Sequence, residues 1–138
     1  MSGPKKIKVI FDTNIWISFL IGKRLHFLKP LIIDRIIEIV ISDQLIHEIQ
    51  AVTQRPKLRP YFAKQKVTEL IELLETIGIH YVTIPKHDFL KDKKDNFLLD
   101  LIEASNADML ITGDKELLDL KNFKGAKIMS ATAFERSI

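Results

Sequence analysis

Short apolar runs alternate with amphipathic stretches along the chain, and this alternation predicts strands separated by helices. Residues 7–11, IKVIF, are short, apolar and rich in β-branched side chains, which is typical of a buried strand. Residues 60–77 carry apolar side chains at helical spacing and precede Gly78, which indicates an amphipathic helix with a glycine C-cap. Similar patterns predict further strands at 38–42, 80–84, 109–112 and 127–129, and further helices at 15–21, 25–37, 43–53, 96–105, 115–120 and 131–136.

This order of elements predicts an α/β fold. Strands that alternate with helices form a parallel sheet, here of about four to five strands, with helices on both faces. The chain has 138 residues and shows no repeat or linker, so we expect one domain over residues 7–138 and a flexible tail over residues 1–6.

The composition narrows the possible chemistry. The chain has no cysteine, which excludes disulfides, thiolate metal sites and cysteine nucleophiles. It shows neither a signal peptide nor an apolar stretch of about 18 residues, so we expect a cytoplasmic protein that does not enter a membrane. A net charge of +3 and a pI of about 9.1 permit binding to a phosphate backbone without requiring it.

Four acidic residues are placed to meet at one edge of the predicted sheet. Asp12 directly follows the first strand, and Asp114 follows the strand at 109–112. Glu48 lies about a turn and a half into the helix after the strand at 38–42, and Asp95 opens the helix at 96–105. Ligands of open α/β sheets bind beyond the carboxyl ends of the strands, so this edge is the predicted site.

Carboxylates that converge in this way repel one another unless a cation lies between them. A ligand set of oxygen atoms alone favours Mg²⁺ or Mn²⁺ over Zn²⁺. Such an ion can hold a phosphodiester and lower the pKa of an attacking water, so no nucleophilic side chain is needed.

Each acid also has an ordinary structural interpretation. Asp12 is a good N-cap, Asp114 a turn residue, Glu48 a solvated helix residue, and Asp95 part of a charged loop. Other acids compete for the same roles or lie elsewhere: Asp92 and Asp100 compete with Asp95, Asp119 competes with Asp114, and Asp108 is expected at the opposite edge.

Four short blocks, in order and at suitable spacing, resemble those of PIN-domain proteins. They are Asp12-Thr13-Asn14, Glu48 followed by Arg55-Pro56-Lys57, Lys94-Asp95-Asn96-Phe97, and Ile111-Thr112-Gly113-Asp114-Lys115. The chain is most similar to the VapC-like toxins of type II toxin–antitoxin systems, and the likeness spans nearly its whole length. One departure is the lysine-rich loop before the third block, where the family often has a proline.

The resemblance implies a metal-dependent endoribonuclease that hydrolyses RNA with four carboxylates, often paired with a small antitoxin and often a homodimer. Asp12, Asp95 and Asp114 would bind Mg²⁺ or Mn²⁺, and Glu48 would bind the metal or orient the water. Asn14, Thr112 and Asn96 would position these carboxylates by hydrogen bonds. RNA would be gripped by its phosphates, for which Arg55, Lys57, Lys94 and Lys115 are the candidates.

Other functions stay open on the sequence. RNA processing or DNA cleavage by a PIN-type nuclease is one alternative. A non-catalytic α/β module that binds nucleic acid is another alternative. A signalling receiver domain also clusters acids and binds Mg²⁺, but here the middle strand ends in Ser42-Asp43 and no late strand ends in lysine.

Overall fold

The computed structural model describes residues 6–22, 28–34, 36–86 and 96–137. Six strands occur in this part of the chain: β1 (Ile7–Phe11), β2 (Ile37–Ile41), β3 (Ile79–His80), β4 (Met109–Ile111), β5 (Asn122–Phe123) and β6 (Ala126–Met129). They form one sheet in the order β3-β2-β1-β4-β6-β5. All neighbours pair in parallel except β5 and β6, which pair antiparallel.

The helices of the described residues connect these strands. They are α1 (Thr13–Gly22), α2 (Leu28–Ile33), α3 (Asp43–Thr53), α4 (Lys64–Ile77), α5 (Asn96–Ser105), α6 (Lys115–Leu120) and α7 (Ala131–Ser137), with a 3₁₀ turn over Arg59–Tyr61. The predicted α/β fold with helices around a mostly parallel sheet is confirmed.

Alternating side chains of the central strands divide the core into two layers. In β1, Val9 and Phe11 pack with α1, α2, α3 and α4, whereas Ile10 packs with α5 and α6. In β4, Ile111 likewise belongs to the same layer as Val9 and Phe11, whereas Leu110 belongs to the layer of Ile10. The near-continuous apolar composition of these strands follows, because a parallel sheet is covered on both faces.

Several predicted boundaries are wrong for identifiable reasons. The sheet has one strand more than predicted, because Asn122–Phe123 forms a hairpin with β6 through Lys124 and Gly125, both at positive φ. Two residues are too few to give a periodic pattern. The strand predicted at 80–84 pairs only over Ile79–His80, and beyond it Val82 and Ile84 are exposed.

Two predicted helices are shorter in the structure. The helix predicted at 60–77 begins at Lys64, because Pro60 belongs to the 3₁₀ turn, Phe62 is extended and Ala63 is the N-cap. The helix predicted at 25–37 is helical over Leu28–Ile33 in the described residues, and β2 already begins at Ile37. Residues 25–27 lie outside the described part of the chain.

Candidate active site at the carboxyl edge of the sheet

Asp12 lies where β1 ends and α1 begins. Its backbone N–H donates to the carbonyl of Ile111 at 2.9 Å, which keeps it in register with β4, and its carbonyl accepts the first hydrogen bonds of α1. Its Oδ1 accepts from the backbone N–H of Asn14 at 3.1 Å, as an N-cap does. The residue is only 4% exposed, so its surroundings restrict the orientation of the carboxylate.

Thr112 links Asp12 to the end of β4. Its buried hydroxyl donates to Oδ2 of Asp12 at 2.6 Å and accepts from the backbone N–H of Asp114 at 3.1 Å. Asp114 in turn caps α6, because its Oδ1 accepts from the N–H of Leu117 at 3.1 Å. One hydroxyl therefore bridges the loops that carry two of the predicted acids.

These two loops lie at a topological switch point. The chain passes from β1 to β2 on one side and reaches β4 on the other side of β1. The loops that leave β1 and β4 consequently diverge and leave a crevice between them, which is where α/β sheets bind ligands.

Glu48 approaches this crevice from α3. Ser42 caps that helix, since its hydroxyl accepts from the N–H of Leu45 at 3.2 Å, and the cap fixes the start of α3 beside the same sheet edge. Glu48 follows about one and a half turns later and is half-buried, with its Oε1 accepting from Gln44 Nε2 at 2.9 Å. Arg55 follows the end of α3 and is exposed.

These groups line one open cleft of about 550 Å³. Three predicted acids and two other predicted residues lie on its wall: Asp12, Glu48, Asp114, Asn14 and Arg55. Thr112 lies beneath it, bonded to Asp12. The structure thus brings together three of the four predicted carboxylates, while Asp95 and Lys94 lie outside the described residues.

The remaining predicted residues are placed less directly. Asn96 is buried at the start of α5 and is not on the cleft wall, although the next residue, Phe97, is. Lys57 is exposed away from the wall, and Lys115 is exposed with its Nζ 3.0 Å from Asp119. Asn14 reaches Asp12 through its backbone N–H rather than through its side chain.

The competing acids have other positions. Asp100 is buried on α5, where its Oδ1 accepts from the backbone N–H of Lys86 at 3.0 Å. Asp108 lies at the opposite edge of the sheet, as predicted, with its Oδ2 accepting from the N–H of Lys8 at 2.8 Å. Neither lines the cleft. Asp92 lies outside the described residues.

The cleft also has lining residues that the sequence did not identify. They are Thr13, Ile15, Val52, Phe97 and Gly113. Thr13, Phe97 and Gly113 belong to the quoted sequence blocks, although no site role was predicted for them, and Ile15 directly follows the first block. Val52 was detectable only as the residue one helical turn beyond Glu48 on α3.

The donor set fits a hard divalent cation only in part. The cleft supplies carboxylate oxygens and neither histidine nor cysteine, which suits Mg²⁺ or Mn²⁺. Among the described residues, however, no three acidic, histidine or cysteine side chains are grouped closely enough to hold a metal ion. Such a site is compatible with Mg²⁺, which is commonly coordinated by one or two carboxylates together with waters and substrate phosphates.

Fold and cleft together define an α/β protein with a carboxylate site at its switch point, and comparison identifies the family. Residues 8–116 match the family model described as PIN domain, so the chain belongs to the PIN domain family. It is 30% identical over 122 residues, 85% of this chain and 77% of the relative, to "Uncharacterized protein MJ1680" of Methanocaldococcus jannaschii.

A solved structure shows the same fold. It is that of PAE2754 from Pyrobaculum aerophilum, with a TM-score of 0.63, 17% identity, and coverage of 94% of this chain and 88% of that one. PIN domains are generally nucleases that use divalent metal ions, which supports a hydrolase acting on nucleic acid and removes the receiver-domain alternative. No helix in the described ranges has the length and apolar character needed to cross a membrane.

Proposed function

We propose that the protein is a metal-dependent endoribonuclease that hydrolyses RNA phosphodiester bonds in the cleft at the carboxyl edge of the sheet. The observation that carries the proposal is the convergence of Asp12, Glu48 and Asp114 with Arg55 on one wall. An anionic substrate suits this cleft when a cation is bound between the carboxylates, because the cation offsets their repulsion. The exposed guanidinium can then contact the substrate as well. The choice of RNA follows the resemblance to VapC-like toxins.

Asp12 and Asp114 would supply oxygen ligands to Mg²⁺ or Mn²⁺, with Asp95 as a third, and Glu48 would bind the metal or orient water. When bound, such a cation would neutralise the scissile phosphate and lower the pKa of the attacking water. The hydroxyl of Thr112 holds Asp12 in one orientation, because it donates to Oδ2 at 2.6 Å. Arg55 would contact a phosphate oxygen through its guanidinium.

The first experiment is a cleavage assay with single-stranded and structured RNAs and matched DNAs, in Mg²⁺, in Mn²⁺ and in EDTA. We expect RNA cleavage by the wild type that requires metal. Asp12→Asn removes a charged metal ligand. Its cleavage activity should therefore fall by more than the roughly 10- to 100-fold typical of changes to groups that only orient ligands. Glu72→Gln, which neutralises an exposed acid on α4, is the matched control and should cleave like the wild type.

Full activity of Asp12→Asn, or of the wild type in EDTA, would refute the carboxylate mechanism. Cleavage of DNA in preference to RNA would refute the substrate assignment alone. A wild-type protein that binds RNA without cutting any member of the panel would favour the non-catalytic alternative.

We further propose that the nuclease is the toxin of a toxin–antitoxin pair. The resemblance in all four sequence blocks supports this role. Induced expression of the wild type in a bacterial host should then arrest growth, whereas Asp12→Asn at the same protein level should not. Normal growth with a variant that is active in the cleavage assay would contradict the toxin role and favour RNA processing.

A further inference from the structure

Residues 55–61, RPKLRPY, form an exposed basic loop between α3 and α4. Its three cationic side chains, Arg55, Lys57 and Arg59, are all exposed. None of the three is within ion-pair distance of an acid among the described residues, whereas Lys66, Lys86 and Lys115 each have an acidic partner. Within the part of the chain that the structure describes, the loop therefore concentrates three cationic groups that form no ion pair.

The same loop exposes an aromatic ring. Tyr61 is 77% exposed, while the neighbouring Phe62 is 7% exposed and packs with Ile17, Val52 and Val67. Leu58 packs against the same small cluster. The chain thus places one aromatic ring in the core and leaves the adjacent one in solvent, where it gains nothing for folding.

Hydrogen bonds hold the basic loop in one conformation. The carbonyl of Arg55 accepts from the N–H groups of Leu58 and Arg59 at 2.9 and 2.8 Å. The N–H of Tyr61 donates to the carbonyl of Leu58 at 2.9 Å, and that of Phe62 donates to Arg59 at 3.2 Å. With Leu58 and Phe62 as apolar anchors, the exposed ring and cations are presented on a preorganised support, which lowers the entropic cost of binding.

The basic loop starts at the candidate active site. Arg55 lines the cleft together with Glu48 and Asp114, and residues 56–61 continue from it without lining the cleft. Uncompensated cations suit phosphates, and an exposed aromatic ring suits a base that is free to stack. Bases of a duplex are already stacked, so this combination selects single strands.

We infer that the basic loop is the track along which a single-stranded nucleic acid leaves the cleft, with Tyr61 stacking on a base and Lys57 and Arg59 contacting phosphates. The inference deepens the proposed function and rests on it for the identity of the ligand. It assigns Tyr61 to the binding machinery and gives the substrate a single-stranded segment beside the scissile bond.

The test measures the binding of fluorescein-labelled single-stranded RNAs of about 2 to 10 nucleotides through their fluorescence anisotropy. EDTA is present so that no cleavage occurs. Stacking of one base is typically worth about 5- to 150-fold in affinity, so Tyr61→Ala should weaken binding of the longer strands by roughly that factor. Tyr61→Phe keeps the ring and should bind like the wild type. The loss of affinity in Tyr61→Ala should increase with strand length, because Tyr61 does not line the cleft and a strand must extend beyond the cleft to reach the ring.

The charge contribution is measured through the salt dependence of binding. Each phosphate contact adds about 0.7 to the slope of log affinity against log salt for a single strand, so the pair Lys57→Ala and Arg59→Ala should lower it by about 1.4. The control is the pair Lys6→Ala and Lys127→Ala, which removes the same charge at the opposite edge of the sheet and should leave the slope unchanged.

Wild-type affinity of Tyr61→Ala for every strand, or equal loss for duplex and single-stranded RNA, would overturn the inference. In that case contact with a protein partner would be the remaining explanation for the exposed ring of Tyr61. The two proposals fail separately. If Asp12→Asn abolishes cleavage while Tyr61→Ala binds normally, only the track is wrong. If nothing is cleaved but binding still requires Tyr61, only the nuclease assignment is wrong.

Discussion

Individual residues of the site combine structural and chemical roles. Asp12 caps α1 through Oδ1 and binds the hydroxyl of Thr112 through Oδ2, and it also faces the cleft. Asp114 caps α6 and faces the same cleft. The structural interpretation of these two acids and the functional one are therefore compatible. A cap orients a carboxylate while leaving lone pairs for another partner.

Thr112 offers a test of this arrangement at the residue scale. Thr112→Val keeps the shape of the buried side chain but removes the bridge between Asp12 and the N–H of Asp114. We expect kcat/KM for RNA cleavage to fall by about 10- to 100-fold and the Mg²⁺ concentration for half-maximal activity to rise. Thr112→Ser restores the hydroxyl and should restore the metal dependence.

The readout separates positioning from simple destabilisation. Thr112→Val also leaves the part-buried N–H of Asp114 without its acceptor, and because a fully buried donor would cost about 1–3 kcal/mol, a smaller decrease in the free energy of unfolding is expected. A loss of stability alone would not change the Mg²⁺ concentration at which the folded molecules reach half-maximal activity. An unchanged Mg²⁺ dependence in Thr112→Val would therefore contradict the positioning role.

At the scale of elements, the close approach of α4 to β2 depends on Gly78. This glycine ends α4 with its N–H donating to the carbonyl of Leu74 at 2.7 Å, and its φ of −77° and ψ of 149° are open to any residue. A Cβ at this position would lie 2.5 Å from the carbonyl oxygen of Leu74 and 2.6 Å from Cδ1 of Ile41. Glycine is thus required by space rather than by a left-handed conformation.

Gly78→Ala should consequently destabilise the protein. The nearest of the three atoms within 3 Å is the backbone carbonyl oxygen of Leu74, so relief requires the end of α4 to shift, and overpacking of this kind costs about 1–3 kcal/mol. The measurement is urea denaturation followed by circular dichroism. Gly113→Ala is the matched control, since a Cβ there meets nothing within 4 Å. Equal stability of the two variants would show that the packing at Gly78 relaxes at no cost.

At the scale of the whole molecule, exposed apolar side chains remain after the two core layers are filled. Ile33, Val82 and Ile84 are 74, 91 and 69% exposed, and Ile21 is 62% exposed. Association that covers such side chains is favourable. We therefore propose a homodimer, a state that the resemblance of the sequence to VapC-like toxins also supports.

We expect light scattering after size-exclusion chromatography to give a mass of about 32 kDa, twice the 15.9 kDa of one chain. Dilution over a roughly hundredfold range would show whether the dimer is stable, since a tenfold weaker dissociation constant corresponds to about 1.4 kcal/mol less association free energy. A mass near that of one chain at every concentration would contradict the homodimer.

The sequence was sufficient where local pattern and burial agree. The strand at Ile7–Phe11 and the helices Asp43–Thr53 and Asn96–Ser105 have the predicted bounds, because each combines an apolar run with a clear start or stop signal. It was insufficient for β5 and for the start of α4. A two-residue strand has no period, and Pro60 fits a 3₁₀ turn as well as the first turn of a helix.

By itself, the sequence determined the fold class and the acids that follow the strands, since strand alternation and the order of the motifs are local properties of the chain. Only the tertiary structure decided that Asp12, Glu48, Asp114 and Arg55 share one cleft, and that Tyr61 is exposed while Phe62 is buried. These facts depend on the strand order, which places β4 beside β1, and on how α3 and α4 pack. Both are set by contacts between residues far apart in the chain, which no local pattern encodes.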